Sequence, residues 1–129
     1  MPISSEIPVY DLGEVVPLGN ATWIEGAGPF VNEAGEPTNP TAAILTVQPP
    51  PESGANPVNY YWPSGTPALE QQTGNVPGSD PPEPVGAGRF YQNVTATFAG
   101  MWEYRLRGTG NVEQIDYGRF LVRPSRIPL

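Results

Sequence analysis

The sequence contains no cysteine, no histidine and no lysine. Without cysteine there is no disulfide staple and no thiol chemistry. Without histidine there is no imidazole metal ligand, no general base of the commonest kind and no charge switch near neutral pH. Without lysine there is no Schiff-base chemistry. No run approaches the roughly 20 apolar residues of a membrane-spanning helix, so no membrane partner is expected. Met1 to Glu6 lack the basic region and apolar core of a secretory signal. The expectation is a protein made and used without export by such a signal. A helical period of useful length and any internal repeat are also missing.

What is present is proline, glycine and patterned aromatics. The chain of 129 residues holds 18 prolines, 15 glycines and 13 aromatic residues. Proline and glycine make up about a quarter of it, near the level typical of disorder. The apolar residues nevertheless fall in ordered alternation, and a chain of this length is long enough to bury a core. The reading is one all-β domain with long, proline-stiffened loops. Its bounds are an extended N-terminal arm over 1–9, the domain over 10–123 and a C-terminal tail over 124–129.

Charge is lopsided. The net charge is −7, which argues against a nucleic-acid partner. Residues 1–88 carry ten carboxylates and no basic residue, whereas residues 89–129 carry six arginines against Glu103, Glu113 and Asp116. Either acidic and basic strands neutralise each other within the fold, or an arginine-bearing sheet docks onto a partner.

Period-two alternation marks the strands. Residues 7–11 and 14–18 read as one strand interrupted by Gly13, with Pro8 and Pro17 suiting an edge. Residues 21–25 read as a short strand anchored by Trp23, followed by a loop over 26–39. Residues 41–48 form the central strand, with Ala43, Leu45 and Val47 on one face. Pro49, Pro50 and Pro51 end it as extended polyproline. Residues 57–62 are the next strand, and Trp62 occupies a place resembling the buried tryptophan of immunoglobulin-like sandwiches. Residues 68–72 are one helical turn or a weak strand, and 74–88 a long loop.

Residues 89–98 are a strand, and 101–107 and 117–123 form the closing pair. Trp102, Tyr104 and Leu106 take one face of that pair, Glu103, Arg105 and Arg107 the other. Gly118 marks a bulge. About seven strands with turns between them predict an immunoglobulin-like antiparallel β-sandwich.

No motif brings catalytic chemistry. The 13 carboxylates sit in no acid–base pattern and read as solvated surface. Asp80 and Glu83 fall short of a calcium site's six to eight oxygens. Asn20-Ala21-Thr22 and Asn93-Val94-Thr95 match the glycosylation sequon by chance. Val85-Gly86-Ala87-Gly88 precedes no helix and no lysine, so it is no phosphate loop. Trp23, Tyr60, Tyr61, Trp62 and Tyr91 fit a core or, alternatively, a sugar-stacking platform. No cofactor, metal or catalytic residue is expected.

One succession of segments carries a resemblance: Tyr10 to Glu14, Pro40 to Val47 with its proline-rich turn, and Gly88 to Val94. Ala99-Gly100-Met101-Trp102-Glu103-Tyr104-Arg105 follows, then Gly108-Thr109-Gly110 and Gly118 to Val122. This order resembles small immunoglobulin-like structural proteins of tailed bacteriophages, found among head and connector genes. The resemblance covers most of the chain, and its last third is the distinctive part. It implies a non-catalytic virion protein, made in the host cytoplasm and located on the capsid surface. The expected role is decoration: binding the outer face of the major capsid protein shell, with self-association as a further possibility. The competing readings are a head–tail connector or tail ring component, and a carbohydrate-binding adhesion module.

The expected docking face is the outer face of the last two strands, with Arg105, Arg107, Arg119 and Arg123. Arginine suits such contacts because its planar fork pairs bidentately with carboxylates. The competing reading of these arginines is pairing within the chain to its acidic half.

Overall fold

The computed structural model describes residues 7–24 and 27–124. Among these residues, eight strands form two packed sheets: β1 (Val9–Asp11), β2 (Val15–Gly19), β3 (Ala42–Gln48), β4 (Val58–Trp62), β5 (Glu70–Gln71), β6 (Phe90–Thr95), β7 (Gly100–Thr109) and β8 (Gln114–Arg123). One sheet has the order β1-β8-β7-β3-β4 and the other β2-β6-β5. The connectivity of β3, β4, β7 and β8 against β2, β5 and β6 is that of an immunoglobulin-type sandwich.

The sandwich expected from the alternation is there, with two corrections to its strands. The stretch read as one interrupted strand is two, β1 and β2, and they lie in different sheets. Gly13, at φ 93°, makes the crossing where the chain leaves one sheet for the other. Because β1 then lies alongside β8 in parallel, with Val9 opposite Leu121, the sheet is not wholly antiparallel. The predicted strand over 21–25 is a turn over its described residues, closed by the Ile24 amide donating to the Ala21 carbonyl.

The arm predicted over 1–9 overlaps the fold. Val9 is paired and the Pro8 carbonyl accepts from the Leu121 amide at 2.9 Å. Residues 1–6 and the tail from 125 onward lie outside the described residues.

The inner faces supply the core. Val16, Leu18 and Phe90 from the small sheet meet Ala43, Leu45, Val47, Trp102, Leu106, Phe120 and Val122 from the large one. The tryptophan buried in the core is Trp102 on β7, not Trp62. Trp102 is 3 % exposed and stacks on Phe120 with ring centroids 5.5 Å apart. Trp62 sits half-buried on β4, against Phe90 at 4.8 Å.

Gly118 is not a bulge. The β7–β8 register runs unbroken from Gly100↔Val122 to Gly108↔Gln114. A side chain at Gly118 would meet the Tyr104 ring carbon Cζ at 2.3 Å, so the glycine makes room for a ring lying across the neighbouring strand. Gly118→Ala is expected to cost about 1–3 kcal/mol through overpacking, readable by urea denaturation.

Polar clasps hold the loops. Asn20 is 1 % exposed. Its Nδ2 donates to the carbonyls of Gly28 (3.1 Å) and Gly88 (2.8 Å), and its Oδ1 accepts from the Phe90 amide at 2.6 Å. Asn39 Oδ1 accepts from the Gly88 amide at 2.7 Å. Gln72, also buried, accepts from the Thr22 amide and donates to its hydroxyl, both at 2.8 Å. The loop after Gly74 is a small hairpin, with Asn75 opposite Pro84 and the Val76 amide donating to the Glu83 carbonyl at 2.7 Å. After β3, Pro50 keeps an extended polyproline-like conformation at φ −53° and ψ 138°, and Pro51 departs from it by opening a single 3₁₀ turn over Pro51–Ser53.

Candidate docking face

The register of the five-stranded sheet decides which side chains share its outer face. On β7 the buried residues are Trp102, Leu106 and Gly108, so Met101, Glu103, Arg105 and Arg107 point outward. On β8 the buried residues are Phe120 and Val122, so Ile115, Tyr117, Arg119, Leu121 and Arg123 point outward. All four arginines named from the sequence therefore lie on one solvent-facing surface.

Register also sets their neighbours. Arg107 lies between Ile44 on β3 and Ile115 on β8. Arg105 lies between Thr46 and Tyr117, and Glu103 lies opposite Arg119. Arg105 Nη2 donates to Thr46 Oγ1 at 3.5 Å, and that hydroxyl in turn donates to Asn59 Oδ1 at 2.7 Å. Tyr117 is 75 % exposed and Ile115 45 %.

The two readings of the arginines divide. Arg123 pairs with Asp11 of the acidic half, its Nη2 2.8 Å from Oδ1 and its Nε 3.1 Å away. This is the one ion pair among the described residues, and it is exposed, so it adds little to stability. Arg105, Arg107 and Arg119 have no carboxylate within 4.0 Å among the described residues. Glu103 opposes Arg119 in register without closing an ion pair. Arg89, the other described arginine, is used internally: its Nη1 donates to the Asn20 carbonyl at 2.9 Å.

Tyr104 lies on the opposite, inward face of β7, packed against the core with its ring over Gly118 of β8. Burial pushes its phenol above the ordinary pKa near 10, with smaller contributions in the same direction from Tyr10 and Asp116. The folded state therefore holds this proton more tightly than the unfolded chain. The associated stability is complete below about pH 10 and is lost as pH rises through the higher folded pKa. Tyr104→Phe should flatten that alkaline decline, measured as denaturation midpoints between neutral pH and pH about 11.

The five aromatics named as a sugar platform are dispersed. Tyr60 and Trp62 turn inward from β4, and Tyr61 lies on the outer face of the large sheet. Trp23 and Tyr91 stand together elsewhere, edge to face at 4.9 Å. Asp80 and Glu83 are exposed near the hairpin tip, and among the described residues no group of three or more acidic or other metal-binding side chains forms. The first sequon's Asn20 is locked in the core, and Asn93 of the second is exposed on β6.

Sequence reasoning missed Tyr117 and Ile115 as parts of this surface. Their signal was the alternation of Ile115, Tyr117 and Arg119 against Asp116 and Gly118, but the predicted strand began at 117 and left Ile115 out. Among known proteins, no family model, no curated protein and no solved structure matches this chain.

Proposed function

We propose that the protein is a non-catalytic docking module that binds an acidic partner surface through the outer face of its five-stranded sheet. Taken with the resemblance to phage immunoglobulin-like proteins, the partner is the major capsid protein and the role is capsid decoration. The supporting observation is one surface carrying three arginines that have no carboxylate partner among the described residues, beside an exposed tyrosine and an exposed isoleucine. Tyrosine and arginine are the residues that most often dominate binding energy at protein interfaces.

Charge decides the kind of partner. Two copies meeting face to face about a two-fold axis bring Arg105, Arg107 and Arg119 against one another, which is repulsive. A surface rich in Asp and Glu is complementary to them. The lack of histidine, cysteine and lysine fits a role without chemistry.

The test is the double substitution Arg105→Glu with Arg107→Glu. Both side chains point to solvent, so the fold should be retained, as judged by circular dichroism and the denaturation midpoint. Affinity for purified particles is expected to fall at least about tenfold, and wild-type binding to weaken as salt is raised. Equal occupancy by wild type and variant would remove this face as the docking surface.

A further inference from the structure

Among the described residues, strand β8 is flanked on both sides only over its last three residues. Beyond β7, its neighbour is β1, which pairs with Leu121, Val122 and Arg123. The ladder stops at Pro8, which has no N–H to offer the Arg119 carbonyl. Main-chain groups of successive residues alternate between the two sides of a strand. The Leu121 amide donates to Pro8 and the Arg123 carbonyl accepts from Leu12, so odd-numbered residues of β8 face away from β7. Ile115, Tyr117 and Arg119 therefore turn their N–H and C=O groups to an edge where no described strand pairs with them.

This edge differs from that of β2, which Pro17 blunts. No proline interrupts Gln114 to Arg119. Beside it runs a cleft of about 410 Å³, with Asn20, Ile24 and Ala27 on its far wall and Tyr104 and Asp116 among its lining. The cleft and edge together have the form of a slot for an extended segment.

We propose that this edge receives an added β-strand from the docking partner: an extended segment, apolar and acidic along its outward face, paired main chain to main chain with Ile115, Tyr117 and Arg119. The proposal rests on the docking reading above and names what the partner brings to it. Outward side chains of the added strand lie beside Ile115, Tyr117 and Arg119, so two apolar residues and one carboxylate complement them. Arg105 and Arg107, one strand away, reinforce the preference for acid. Inward side chains face the Asp116 carboxylate and Tyr104, which favours neutral hydrogen-bond donors such as threonine. A second copy's β8 lacks this complementarity, since it would bring further arginine.

The experiment titrates the isotope-labelled full chain with the capped peptide Val-Thr-Val-Thr-Glu-Thr and with its Lys-for-Glu counterpart, reading amide shifts and exchange by NMR. With the acidic peptide, the amides of Ile115, Tyr117 and Arg119 should shift and exchange at least about tenfold more slowly. The lysine peptide should bind more weakly. Tyr117→Pro removes an edge N–H without touching the β7 ladder and should abolish the effect. Tyr117→Ala keeps that N–H and should retain binding.

Unchanged edge amides, or a Tyr117→Pro variant that binds like wild type, would overturn strand addition. So would edge amides already slow in the free protein, which would assign the edge to residues 1–6, or to a second copy if the slowing depends on concentration. Particle occupancy separates the two ideas. Loss with Arg105→Glu and Arg107→Glu but not with Tyr117→Pro leaves the docking face standing and removes the added strand.

Discussion

Trp102→Ala should lower the unfolding free energy by about 3–5 kcal/mol, the range for removing a large aromatic from a packed core. The indole is 3 % exposed, stacked on Phe120 and tilted against Phe98 at 6.4 Å. Its Nε1–H donates to the Phe98 carbonyl at 2.9 Å, which ties the turn before β7 to the core. Truncation removes buried area, leaves a cavity at one end of the sandwich and unpairs that carbonyl. Trp102→Phe refills part of the volume without restoring the hydrogen bond and should cost less. Urea denaturation of the three proteins checks the order. A Trp102→Ala loss below about 1 kcal/mol would mean that the core is centred elsewhere.

Asn20→Ala should cost about 2 kcal/mol or more, although it removes few atoms. The buried Phe90 amide and the Gly28 carbonyl lose their partner, while the Gly88 carbonyl loses one of two and keeps the Phe30 amide at 2.9 Å. Each buried group left unpaired costs about 1–3 kcal/mol. Asn20 joins the loop after β2 to the entry of β6, 68 and 70 residues further along the chain. The loss should therefore appear as faster exchange of the Phe90 amide as well as in the denaturation midpoint. Unchanged exchange at Phe90 would show that the Asn20 network does not hold this corner.

These two residues show how unevenly the fold was legible. Trp102 could be read from its alternation with Glu103 and Tyr104, because a half-buried strand writes its face into the sequence every second residue. The arginine face was legible for the same reason. Asn20 gave no such signal. Its role depends on which loops meet in space, and its only sequence pattern was a sequon unrelated to what it does. Gly118 was misread because a bulge and a ring lying over a glycine look alike in one dimension. The β1–β2 crossing was missed because a glycine within an apolar run does not say whether the chain bends or changes sheet.

The docking face was half legible. Four arginines could be placed on one side, but charge alone did not tell which were satisfied. Arg123 is paired through Asp11, 112 residues earlier in the chain, a contact that only the parallel β1–β8 register creates. Among the described residues, Arg105, Arg107 and Arg119 have no carboxylate within 4.0 Å, a fact that depends on where loops lie in space and not on the order of residues. The exposed Tyr117 became informative only when register placed it beside Arg105.

The most direct measurement is copy number in purified phage particles, by quantitative mass spectrometry against the major capsid protein. A decoration protein docked through this face should be present in hundreds of copies per particle, on the order of the number of capsid subunits. Six to about a dozen copies would place it in a connector or tail ring and contradict decoration, and absence from particles would contradict the virion role itself.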